Sequence, residues 1–265
     1  MLLDFIPILL GIVVAGCGGS GSGECHKLTL ESSWQWQLSG RLNTSYDVQM
    51  YDIDLFDTNA SQIASLHRSG KTVICYFSAG SYEDWREDAA LFDTAVLGNA
   101  LEGWAGERWL DIRHESLKTL MGNRLDLAVQ KGCDGVEPDN MDGYANATGF
   151  TLRAADQLAY NIFIAQEAKK RGLYVGLKND LDQIVELEPF FDFAVNEECH
   201  YYHECDALVP FIDAQKPVFN AEYAPQYVHN SNGARDVLCT QSKARNFHTL
   251  VLPVALDDTF RFSCD

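Results

Sequence analysis

Nine short apolar runs recur along the chain, with segments of helical periodicity in most of the gaps between them. The runs are WQWQL (34–38), VQMYDIDLF (48–56), TVICYFSAG (72–80), RWLDIR (108–113), GCDGVEPDN (132–140), YVGLKND (174–180), FDFAVNEEC (191–199), KPVFNAEY (216–223) and TLVLPVAL (249–256). Short apolar runs of this kind are the pattern of strands buried on both faces. The clearest helix spans 151–172, where Leu158, Ile162 and Ala165 share a face and Lys169, Lys170 and Arg171 precede Gly172, a cationic end with a glycine stop. The same punctuation returns as Arg68 to Gly70 before TVICYF and Lys131 with Gly132 before CDGVEP. Strands alternating with helices point to a parallel α/β architecture.

Only residues 39–47 separate WQWQL from VQMYD, too few for a crossover with its helix. WQWQL is therefore expected to lie outside the repeat. Eight strands remain, the count of a (β/α)8 TIM-type barrel with an extra N-terminal strand-like segment; an open doubly wound sheet is the alternative. On that count Asp54, Ser78, Arg113, Asp139, Asn179, Glu197, Glu222 and Asp257 fall at C-terminal strand ends, the face where such folds bind ligands. GCDGVEPDN and FDFAVNEECH each run an apolar stretch straight into carboxylates, which places Asp139 and Glu197 where two acids can share one substrate. Facing carboxylates most often serve glycoside hydrolysis. Capping of the next helix, or pairing with a lysine, is the structural alternative for either acid.

The length of 265 residues suits one barrel, and the charged (22%) and hydrophobic (46%) fractions are ordinary for a globular protein. Net charge is not: 20 Lys+Arg against 38 Asp+Glu gives −18, a field that repels nucleic acid and attracts cationic polymers. No G-x-S-x-G elbow and no phosphate-binding glycine loop occurs, so neither a serine hydrolase nor a nucleotide cofactor is implied. No metal site is expected either, since there is no C-x-x-C pair and HYYHEC (200–205) reads as a loop.

The first residues carry an apolar core followed by Val14, Ala15, Gly16 and Cys17. That arrangement resembles a bacterial lipoprotein signal over 1–16, with Cys17 lipidated, a tether over 17–30, and the barrel domain over 31–265. An ordinary cleaved signal is the alternative; either means export, with membrane contact only through lipid on Cys17. Export makes disulfides plausible, and Cys199 with Cys205 is the expected local bridge. Cys75 and Cys133, inside apolar strands, are expected to be small buried hydrophobes. With Cys17 set aside the cysteines number seven, so at least one is free or pairs outside the chain.

WQWQL, DIDLFD, VICYFSAGSYEDWR, RWLDIR with GCDGVEPDNMDGY, GLKND, FAVNEEC and FNAEY, in this order over roughly 34–258, resemble glycoside hydrolase family 114, the endo-α-1,4-polygalactosaminidases. The resemblance implies a barrel, cleavage of α-1,4-linked galactosamine or N-acetylgalactosamine polymers, and Asp139 and Glu197 as the catalytic acids. Glu137 and Glu198 are close competitors, because one residue along a strand decides which face a side chain joins. With that chemistry Asp139 is expected as nucleophile or base and Glu197 as proton donor. Lys178 and Arg113 are expected as nearby cations, and Asn140, Asn179, Asp54 and Glu222 as substrate hydrogen-bonders. Ser78 and the aromatics Tyr76, Trp85 and Tyr144 flank predicted strand ends and complete the candidate set.

Overall fold

The computed structural model describes residues 27–265, so the leader, Cys17, Cys25 and the glycine-rich part of the tether lie outside the described residues. Among the described residues the strands are, in chain order, β1 (Trp34–Gln37), β2 (Met50–Asp54), β3 (Thr72–Ser78), β4 (Ser81–Glu83), β5 (Leu97–Ala100), β6 (Glu107–Leu110), β7 (Gly135–Asp139), β8 (Tyr174–Lys178), β9 (Phe193–Glu197), β10 (Val218–Glu222), β11 (Phe247–Val251) and β12 (Phe262–Ser263). One nine-stranded sheet runs β1-β2-β3-β7-β8-β9-β10-β11-β12, parallel throughout except for the antiparallel β12. It curls until its ends meet: Trp34 Nε1 donates to His248 O at 3.0 Å, and Leu38 N to Leu256 O at 3.0 Å. The result is the expected TIM-type α/β barrel.

The alternation of side chains along each strand divides the core in two. Inside the barrel lie Trp34, Trp36, Met50, Ile74, Phe193, Val195, Phe219, Ala221 and Leu250. Outside it, Tyr51, Ile53, Val73, Cys75, Phe77 and Val136 pack against the helix layer. That layer includes α1 (Ala60–Arg68), α2 (Glu115–Lys131) and α3 (Ala154–Lys170). The predicted helix over 151–172 is α3. Gly176 faces inward because a Cβ there would sit 2.3 Å from Phe193 Cε2, so the barrel floor has room for the phenyl ring only if this position lacks a side chain. No helix among the described residues is long and apolar enough to cross a membrane.

Two strand assignments differ from the sequence reading. WQWQL is not outside the barrel: β1 pairs in parallel register with β2, Trp34 opposite Met50 and Gln37 opposite Ile53. No helix is needed for this crossover, because Gln37 organises the loop itself. Its amide donates to Ser39 O and Arg41 O, and its Oε1 accepts from Asn43 N. RWLDIR, in turn, is not a barrel strand. It forms β6, the centre of an antiparallel side sheet β4-β6-β5 inserted between β3 and α2. The two errors cancel, which is why the count of eight parallel strands holds.

The cysteines also depart in part. Cys199–Cys205 is bridged as expected, but Cys75 and Cys133 are a disulfide rather than isolated hydrophobes, with Cα atoms 6.1 Å apart. Cys75 points out of β3 towards the segment leading into β7, its sheet neighbour, so two apolar positions distant in sequence become adjacent. Cys239–Cys264 ties the last long helix to the residue that follows β12. No cysteine among the described residues is free.

Candidate active site

Strands β7, β8 and β9 end on Asp139, Lys178 and Glu197, and in each the next residue turns left-handed: Asn140 at φ 59°, Asn179 at 48° and Glu198 at 61°. Asparagine tolerates this region, but Glu198 does so at a cost of about 1–2 kcal/mol, strain of the kind that gathers at functional sites. Asn140 is held from beneath by Gly80, where a Cβ would fall 1.8 Å from Asn140 O.

The three strand ends converge on the Lys178 ammonium. Its Nζ lies 3.1 Å from Glu137 Oε1, 3.1 Å from Asp139 Oδ1 and 3.2 Å from Glu197 Oε2, and 4.8 Å over the Trp36 ring. Burial alone would drive the proton off this lysine. The carboxylates of Asp139, Glu137 and Glu197 outweigh it and push the pKa well above the ordinary lysine value. Asp139 also accepts from Asn140 N at 2.6 Å and from Tyr76 OH at 3.1 Å. Glu197 accepts from Tyr223 OH at 2.5 Å and from Asn179 Nδ2 at 3.2 Å, while Asn179 Oδ1 receives the Glu197 N–H. Burial first, then the neighbouring carboxylates, raises both phenols well above the usual tyrosine range, so they remain donors.

Above this floor lies a groove of about 700 Å³. The half-exposed Trp85 and Trp104, with Trp109, form an aromatic wall on the side-sheet flank, and Val254 to Leu256 line another part of it. Acids dominate its polar lining, among them Asp57, Glu102, Glu107, Asp139, Asp142 and Glu197, against the cations Lys178 and Arg86. Burial pushes Glu107 up to about 7.

The candidate residues sort by strand phase and depth. Asp139, Glu197, Lys178, Tyr76, Asn140, Asn179 and Asp54 all line the groove. Asp54, however, is fully engaged, accepting from Arg86 at 2.7 and 3.0 Å and from the backbone of Phe56 and Asp57, so it anchors the side-sheet segment rather than offering itself to a ligand. Ser78 is buried beneath the floor, joined to Ser81 and to the Asn140 amide. Glu137 is completely buried under Lys178, out of reach of any ligand in the groove.

Four candidates stand elsewhere. Arg113 follows the side sheet and pairs with Asp111 on the surface. Glu222 has the wrong phase: Phe219 and Ala221 face the barrel interior, so Glu222 turns outward and accepts the His200 N–H at 2.8 Å. Tyr144 turns to Asp180. Glu198 begins the short helical turn Cys199–Tyr202 and does not line the groove. Trp109, Asp142 and Glu107 are residues that sequence reasoning missed, while Trp36 and Tyr223 stand among the aromatics the sequence offers without being singled out; the period of two along KPVFNAEY was signal enough for Tyr223. Cys199, His200 and Cys205 cluster, but both sulfurs are spent in a disulfide and offer no thiolate to a metal.

The family model of glycoside-hydrolase family GH114 matches residues 21–265. The chain belongs to that family. Among solved structures, Ega3 of Aspergillus fumigatus, determined in complex with galactosamine, is 40% identical with a TM-score of 0.85, over 90% of this chain and 97% of that one. The glycoside hydrolase domain of PelA from Pseudomonas aeruginosa shares the fold at a TM-score of 0.67 and 15% identity, over 86% of this chain and 97% of that one. No curated protein matches the sequence. The GH114 member described here is thus a glycoside hydrolase of the endo-α-1,4-polygalactosaminidase type. Asp139 and Glu197 sit at the C-terminal mouth of the barrel, the face where such folds carry their active sites.

Proposed function

We propose that this GH114 enzyme is exported and cuts within α-1,4-linked polymers of galactosamine and N-acetylgalactosamine, using Asp139 as nucleophile and Glu197 as proton donor. The observation that carries the reading is the single buried ammonium of Lys178 between the two acids at the floor of an acidic, tryptophan-walled groove. Tryptophan faces suit sugar rings and carboxylates suit the ammonium groups of deacetylated units, and the relative with galactosamine bound supports the same substrate class. Export is supported by the lipobox-like segment before Cys17 and by the disulfides of the barrel.

The division of labour follows from the donors. Asp139 Oδ1 receives a backbone N–H at 2.6 Å and Lys178 at 3.1 Å, donors that cannot rotate away, an arrangement suited to the attacking carboxylate. Glu197 also touches Lys178 and Asn179, but its shortest partner is the Tyr223 hydroxyl, which can turn to accept when Glu197 carries the proton. Since Asp139 Oδ1 and Glu197 Oε2 both touch Lys178 Nζ, those oxygens are no further apart than the sum of 3.1 and 3.2 Å. The two carboxyl groups thus stand close together, and we adopt the retaining geometry, about 5–5.5 Å between carboxyl groups, over the inverting one at about 6.5–9.5 Å. Asp139 then attacks the anomeric carbon while Glu197 protonates the departing oxygen, and a water activated by Glu197 releases the glycosyl-enzyme.

The test is oligosaccharide release from partly deacetylated α-1,4-polygalactosamine by the wild type, Asp139→Asn and Glu197→Gln. Cleavage that falls by at least about 10² in both variants is the expected result. Polymer that binds yet stays intact with the wild type would instead identify a binding protein.

A further inference from the structure

Beneath the site lies a second pair of acids that the mechanism does not use. Asp52, at the middle of β2, and Glu137, at the middle of β7, are both completely buried, and their carboxyl groups face each other across the barrel interior. With both ionised, neither has a donor to offer the other, and apart from the Lys178 ammonium on Glu137 Oε1 their oxygens meet no donor. A single proton converts the contact into an O–H···O bond and leaves the pair with one negative charge, matched by the Lys178 ammonium 3.1 Å from Glu137 Oε1. The surroundings permit no other compensation. From β3 comes Tyr76, from β7 Asp139, from β8 Lys178, from β9 Glu197 and from the end of β10 Tyr223, while β1 and β11 present Trp36 and Leu250. Lys178 is the one cation among these groups, against four carboxyls.

We propose that Asp52 and Glu137 hold one proton between them and act as positioning residues, seating the Lys178 ammonium between Asp139 and Glu197. The consequence for the reaction, which rests on the assignment of those two acids above, is electrostatic. A floor fixed at one negative charge keeps Lys178 low enough to touch both acids, yet adds no second charge that would force an extra proton onto the nucleophile. Burial raises both members of the pair, and Glu137 is pushed up to about 7.

Infrared difference spectra of wild type against Asp52→Asn at neutral pH test the proton without any substrate. Asparagine replaces the acid by a neutral group that still donates to Glu137. The expected difference is loss of one protonated-carboxyl C=O band, wherever on the pair the proton resides; loss of an ionised-carboxylate band would overturn the proposal. The pH dependence of kcat tests the positioning. Glu137→Gln takes the pair's negative charge off the carboxyl that touches Lys178 Nζ at 3.1 Å and leaves it on Asp52, so both limbs should move to lower pH, with kcat down by about tenfold or more and KM much less affected. Asp52→Asn should leave the limbs in place. Limbs unmoved in a folded Glu137→Gln, or moved equally in both variants, would refute the role. Failure of the polymer assay itself would leave the spectroscopic result standing.

Discussion

Lys178→Met is the perturbation that separates the site's geometry from its electrostatics. Methionine fills a similar volume and removes a cation 3.1 Å from Asp139 and 3.2 Å from Glu197. Unit charges at that distance interact by about 5 kcal/mol at an effective dielectric of about 20. The Asp139 side chain is 20% exposed and the Glu197 side chain 30%, so water recovers part of this, and an opposite charge in contact typically moves a carboxyl by about 1–3 pH units. The acid limb of kcat/KM for polymer cleavage should therefore rise by about 1–3 units, the direction opposite to that expected for Glu137→Gln. Stability at neutral pH should fall by about 3–5 kcal/mol, because buried carboxylates are left uncompensated. The loss should shrink on acidification, as those groups take up protons. In the wild type the sign runs the other way: a lysine raised above its ordinary value contributes stability in full below about 10.4 and loses it only at higher pH still. The assay is the pH profile beside a thermal melt at each pH. A folded Lys178→Met whose acid limb has not moved would show that this ammonium does not act on the proposed nucleophile through its charge.

Tyr223→Phe removes the hydroxyl 2.5 Å from Glu197 Oε1, and steady-state kinetics should show kcat reduced about tenfold with little change in melting temperature. Replacing Cys75 and Cys133 together by serine opens a loop spanning 58 residues, and chemical denaturation should report a loss of about 4 kcal/mol. Burial pushes Glu137, Glu107, Asp180 and Glu222 up to about 7, against about 4 in the unfolded chain. The folded state thus retains protons that the unfolded state releases, and stability is lost as pH rises from about 4 to 7. Melting temperatures should accordingly be higher near pH 5 than near pH 8, and a flat profile would contradict the burial of these acids.

The fold was legible because its repeat was carried by local signals. The basic residue and glycine that close α2 and α3 stand where a helix must stop, and the strands that follow are short and buried along most of their length. What the pattern could not convey was adjacency. RWLDIR has the composition of a barrel strand, and only its pairing with Ser81–Glu83 shows it to be a side-sheet strand. WQWQL looked isolated because the rule that a parallel crossover contains a helix is statistical, and the Gln37 side chain supplies what the helix would have supplied. The Cys75–Cys133 bridge is of the same kind: each thiol sits in an apolar context that says nothing of its partner.

The site was legible to the extent that it depended on where strands end. Asp139, Lys178 and Glu197 are the last residues of three neighbouring strands, so one rule found them together. Glu222 obeys the same rule and fails, because the last residue of a strand can point either way; here the phase set by Phe219 and Ala221 turns Tyr223 inward and Glu222 out. Depth was the dimension hardest to read. Glu137 shares its face with Asp139 two residues on, and sequence alone makes the two competitors for one role. In the barrel they become successive layers, Asp139 lining the groove and Glu137 below it against Asp52, with Lys178 reaching both at 3.1 Å. A carboxyl at the first layer can touch a sugar. One at the second can act only through the charge and position of what lies above it.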